Sequence, residues 1–188
     1  MGRSRSFLPI MVVAGALAPV GSQSLGAKEK SSSPYAGQQH RAIKSLSPAD
    51  IATLRKGGGW GFAKAAELNG LPGPVHVLEL ADKLALSANQ KAQITQVFDR
   101  MRLAAVPLGR QLIAQERRLD RLFATRRITP KLLQGLVRQI GETRAALRTV
   151  HLAAHLETPK ILSAHQIARY NRLRGYGKGG GHHGHRKH

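Results

Sequence analysis

The chain has 188 residues and no cysteine, which is room for one domain with tails and excludes disulfides, thiolate metal sites and thiol catalysis. Its 30 Lys and Arg against 10 Asp and Glu give a formal charge of +20, which points toward acidic partners: nucleic acid, anionic membrane or acidic polypeptide. Hydrophobic residues make up 41% and aromatic residues 4%, enough for a core but too few rings for a β-sandwich or a base-stacking platform.

Met1–Ser6 carries Arg3 and Arg5, and an apolar run follows from Phe7 to Val20. Small residues come next, at Val20-Gly21-Ser22 and again at Leu25-Gly26-Ala27. This is the three-part pattern of a secretory signal peptide over residues 1–22, with an end as late as 27. The run is shorter than the roughly 20 residues a membrane span needs. Export from a bacterium would place the chain in the periplasm, away from DNA and ATP, so nucleic acid is not an expected partner despite the charge.

Residues 23–45 are rich in Ser, Gly, Gln and Lys and are expected to form a disordered linker. A helical domain is expected over 46–176. Ser47-Pro48-Ala49-Asp50 is a helix start, with Ser as cap, Pro at the first helical position and an acid in the first turn. Gly57-Gly58-Gly59 should end that helix and serve as a flexible joint, with Trp60 anchoring it to the helices beyond. Further short helices are expected over Phe62–Leu68 and Val75–Leu84.

Ile94, Phe98, Met101, Ala105, Leu108, Leu112, Gln115, Leu119 and Leu122 recur in steps of four and three, a heptad seam on one long helix. Thr129-Pro130 restarts the chain, and a second seam follows: Leu133, Leu136, Ile140, Thr143, Leu147, Val150 and Ala154. The short connection predicts a long antiparallel helical hairpin with short flanking helices, in an all-α fold. A last helix is expected near Ala164–Arg174. Residues 177–188, rich in Gly, His and Lys, are expected to be a disordered tail.

Leu86-Ser87-Ala88-Asn89-Gln90 and Leu162-Ser163-Ala164-His165-Gln166 are one pentad written twice. Each is a capping box: Ser caps the helix, Gln three residues on reaches back to the Ser amide, and the preceding Leu is placed to pack as a staple. A signal peptide, no cysteine and such a pentad before and after a long helical hairpin resemble the Spy/CpxP family and its LTxxQ motif, with Ser here in the usual Thr position. The stretch from Ala65-Ala66-Glu67-Leu68-Asn69-Gly70 through His76–Ala81 is similar to one branch of that family. The resemblance covers about residues 47–176. It implies a small α-helical protein, often an antiparallel homodimer shaped like a shallow cradle. It also implies an ATP-independent chaperone that holds unfolding periplasmic proteins in envelope stress, on a basic concave face with apolar patches. Other members resemble metal-binding stress proteins or the sensor domain CnrX.

Two sets of side chains are candidates for function. A basic surface draws acidic clients quickly and from a distance. The hairpin offers Arg100, Arg102, Arg110, Arg117, Arg118, Arg121, Arg126, Arg127, Arg138, Arg144 and Arg148. The second set is histidine, of which there are nine. His151 and His155 stand four apart on one helix face. With His76 and Glu79, three apart on another helix, they could hold Zn, Ni, Cu or Co. His182, His183 and His185 on the Gly-rich tail could wrap a metal as well. A metal-binding or metal-sensing stress protein is therefore the alternative to the chaperone, and a basic protein in weak contact with anionic membrane is a third. The chain has no Gly-rich phosphate loop, nucleophile elbow or acid–base pair, so neither an enzyme nor a required cofactor is expected.

Overall fold

The computed structural model describes residues 33–176, and the signal-peptide and tail expectations lie outside them. Six α-helices follow in chain order: α1 (Pro48–Arg55), α2 (Lys64–Glu67), α3 (Pro74–Glu79), α4 (Ala88–Ala124), α5 (Pro130–Glu157) and α6 (Ala164–Leu173). Short 3-10 turns stand at Gln38–His40 and Thr158–Ile161. The fold is all-α, with no strand among the described residues. No described helix is long and apolar enough to cross a membrane.

The two seams meet as the heptad pattern requires. α4 and α5 pack as the long hairpin, with Ala105, Leu112, Ile113, Ile140 and Leu147 in one shared cluster. The buried stripe on α4 is wider than its seam, because Val97, Gly109, Ile113 and Glu116 are also buried. α1 covers it around Gly109 and Ile113. A side chain at Gly109 would collide with the backbone carbonyl of Leu54, so glycine sets how closely α1 lies on α4. α4 runs through Pro107 as one helix.

The expected linker is corrected over its last residues. Ile43 and Leu46 are fully buried in the main cluster. The Ser45 hydroxyl donates to the buried Glu116 at 2.8 Å, and the Lys44 amide donates to Asp120 at 3.3 Å. Two isolated apolar residues in a polar stretch show no periodicity, yet each removes a large side chain from water, and acids on α4 tie down the backbone between them. The glycine run is corrected too: it is a fitted joint. Gly57 has φ +72°, and a Cβ there would lie 3.1 Å from Val106 and 3.3 Å from the Arg102 carbonyl. The second and third short helices are shorter than expected, because turns take up the flanking residues.

Trp60 is the anchor. Its indole N–H donates to Asp50 at 2.7 Å, its ring meets Phe62 edge-on at 5.5 Å, and the Arg144 guanidinium lies 4.9 Å from its centroid. These contacts hold it at φ +40°, a backbone region that bulky residues avoid. Asp50 also closes the α1 capping box, and bonds from Ser47 and Trp60 hold its carboxyl below the ordinary aspartate value.

Candidate functional site

The two pentads form one object. In each, the Ser hydroxyl accepts the amide of the Gln three residues on, and the Gln side chain accepts the Ser amide. The two glutamines then bond to each other. Gln90 Nε2 donates to Gln166 Oε1 at 2.9 Å, and Gln166 Nε2 donates to Gln90 Oε1 at 3.1 Å. The remaining amide hydrogens reach the carbonyls of Ile161 at 2.9 Å and Leu84 at 3.3 Å. The motif residues Leu86, Ser87, Gln90, Leu162, Ser163 and Gln166 thus clamp the starts of α4 and α6 together. Leu86 and Leu162 pack in the cluster below, around Val77, Ile94 and Tyr170.

A cavity of about 880 Å³ is lined by the glycine joint, Trp60, Gly73, Pro74, Phe98, Met101, His151 and His155 among others. His151 is 3% exposed and its ring lies parallel to Phe62 at 6.1 Å. Its Nε2 is buried without a hydrogen-bond partner. Burial, followed by the neighbouring His155, lowers its pKa below the ordinary histidine value, so the ring is neutral at pH 7. His155 Nδ1–H donates to the Leu71 carbonyl at 2.8 Å, which fixes the ring, and the other nitrogen faces Gly73. A carbonyl only accepts, so Nδ1 carries the hydrogen.

Glu67 is the hub that the sequence did not reveal. Its side chain is buried at the end of α2 and lines the same cavity. Oε1 accepts the Tyr170 hydroxyl at 2.6 Å and Arg174 Nε at 3.3 Å, and Oε2 lies 3.8 Å from His155 Nδ1 with no hydrogen bond of its own. Tyr170 is fully buried, and burial followed by the bond to Glu67 raises its pKa far above the ordinary tyrosine value.

The expected metal set is not assembled. His76 Nδ1 pairs with Glu79 at 2.8 Å on the surface of α3, while the bond from His155 Nδ1–H to Leu71 leaves Nε2 of that ring free. His76, His151 and His155 line one cavity, yet no three His, Cys, Asp or Glu side chains gather into a metal site among the described residues. His182, His183 and His185 lie outside those residues.

The arginines divide. Arg100 is bonded to Glu157 at 2.7 Å, Arg138 pairs loosely with Glu142 at 3.9 Å, and Arg144 is spent on Trp60. Arg102, Arg110, Arg117, Arg118 and Arg121 are exposed, and no ion pair engages them among the described residues. The last three lie on the tip half of α4, and the tip half of the hairpin also exposes large apolar side chains. Phe123 and Val137 are each 52% exposed, and Leu132 and Leu133 are about 37–38% exposed. Arg126 and Arg127 form the turn there, with Arg126 at φ +54° in the left-handed position that ends α4.

No protein-family model matches the chain, and no curated protein or solved structure matches it significantly.

Proposed function

We propose that this protein is an exported, ATP-independent chaperone of the Spy/CpxP type, which holds unfolding envelope proteins and keeps them from aggregating. The observation that carries the reading is the tip half of the hairpin, which exposes Phe123, Leu132, Leu133 and Val137 together with Arg117, Arg118 and Arg121, none of them ion-paired among the described residues. Unpaired cations attract acidic chains over a Debye length of about 8–10 Å, and the apolar side chains then hold segments that unfolding exposes. The clamped pentads support the family resemblance, because they give the repeated motif one shared structural task. A metal role rests on the tail histidines alone, since the described residues hold no ligand cluster.

The test is light scattering from an aggregating client, without ATP, in EDTA or with added zinc. Protection in EDTA is expected. Reversing Arg117, Arg118 and Arg121 to Glu should abolish most of it while helicity is unchanged. Protection that appears only with zinc would replace this reading with a metal-switched one, and none under either condition would end it.

A further inference from the structure

The cavity beside the glycine joint has features that client holding at the hairpin tip does not use. Its volume of about 880 Å³ falls in the range of small-molecule sites, roughly 300–1,000 Å³. Its lining is apolar in body, with Trp60, Phe98, Met101, Pro74 and the bare backbone of the glycine joint. It is cationic in charge. Lys56, Lys64 and Arg102 all line it, and no ion pair engages any of them among the described residues. The one carboxylate in the lining, Glu67, already accepts from Tyr170 and Arg174. Two buried polar side chains, His151 and Glu67, complete the lining, and each has one atom without a hydrogen-bond partner. The free Glu67 Oε2 is an acceptor and repels a carboxylate, so an anionic head belongs on the cationic side of the cavity.

We propose that this cavity is a binding site for a small amphipathic organic anion: an apolar body, acyl or aromatic, with a carboxylate head. The body would lie on Trp60, Phe98 and Met101. The head would meet Lys56, Lys64 and Arg102. The proposal is independent of client holding, because the tip arginines take no part in it.

Trp60 is the only tryptophan in the chain, so its fluorescence reports on the cavity directly. The experiment titrates the full mature chain with dodecanoate, with 1-naphthoate and with dodecyltrimethylammonium, all below micelle formation. Saturable quenching or a spectral shift at one equivalent is expected with a carboxylate, and binding of the cation at least tenfold weaker. A response to dodecanoate alone assigns an acyl body, and one to 1-naphthoate alone an aromatic body. The variant K56E/K64E/R102E should weaken carboxylate binding about tenfold or more, given the modest worth of each exposed charge. K83E/K91E/K160E has the same net charge and changes exposed lysines outside the cavity lining. It should stay within about twofold of the parent, since these exposed charges do not line the cavity and are screened by salt. If the first variant misfolds by circular dichroism, K56Q/K64Q/R102Q replaces it. Three results would overturn the proposal: no Trp60 response to either carboxylate, equal affinity for the cation, or equal weakening in both reversal variants, which would mean attraction to bulk charge alone.

Discussion

The two ends of the hairpin are built on opposite plans. Where α4 begins and α5 ends, the polar groups described are mostly paired: two capping boxes bond to each other, Glu67 gathers Tyr170 and Arg174, and His155 is fixed to a backbone carbonyl. At the tip, where α4 ends and α5 begins, four large apolar residues face water, and Arg117, Arg118 and Arg121 have no ion pair among the described residues. One end spends most of its polar groups inside the chain and encloses a cavity. The other is left for something else. The contrast teaches that apolar side chains on the same two helices can serve as core or as contact surface, depending on whether a third element covers them.

The largest break in this contrast should come from Tyr170→Ala. It empties a fully buried ring position and strips Glu67 of a donor, and should cost about 3–5 kcal/mol, read from the denaturant midpoint. Phe123→Ala at the tip removes a ring of similar size but should cost under about 1 kcal/mol, while reducing client protection. Equal costs would mean that the tip is covered in solution.

The clamp comes next. Gln90→Ala and Gln166→Ala each strand an amide, at about 1–3 kcal/mol apiece. Because the two groups satisfy each other, the double variant should cost less than their sum by about 1 kcal/mol. Strict additivity would show that the two boxes cap their helices separately.

Acid should loosen the cavity end by way of His151. Its pKa is lowered in the folded chain, so the unfolded chain binds the proton more readily. Stability is therefore complete above the ordinary histidine value of 6.5 and falls as the pH drops below it, by at most about 1.4 kcal/mol per pH unit. His151→Leu should flatten that slope in a pH series of denaturant melts. An effect of opposite sign is expected at the tip turn, where Arg126→Gly relieves a left-handed residue and should add about 1 kcal/mol of stability, seen as a later midpoint.

The long helices were legible because period and length agree over many turns, and each cap follows from a Ser or Thr and its third neighbour. The clamp was half legible: both boxes could be read, but nothing local says that residue 90 meets residue 166. Glu67 was not legible as a hub, because its partners Tyr170 and Arg174 lie more than a hundred residues away and a lone Glu on a short helix looks like any surface acid. Ile43 and Leu46 were missed for the same reason, since burial without periodicity leaves no local signal. The metal set turned on a point that spacing cannot show: whether a third ligand gathers beside the histidines, and none does among the described residues.

The glutamine clamp also orders events in time. Its halves are 76 residues apart, and a chain delivered from its N-terminus presents the first pentad with the whole hairpin still to come. The hairpin can close from local contacts alone, whereas the start of α4 keeps its spare amide hydrogens facing water until α6 arrives. The second pentad is therefore the closing signature of assembly. A chain cut short before Leu162 would carry a complete tip on an unfinished base.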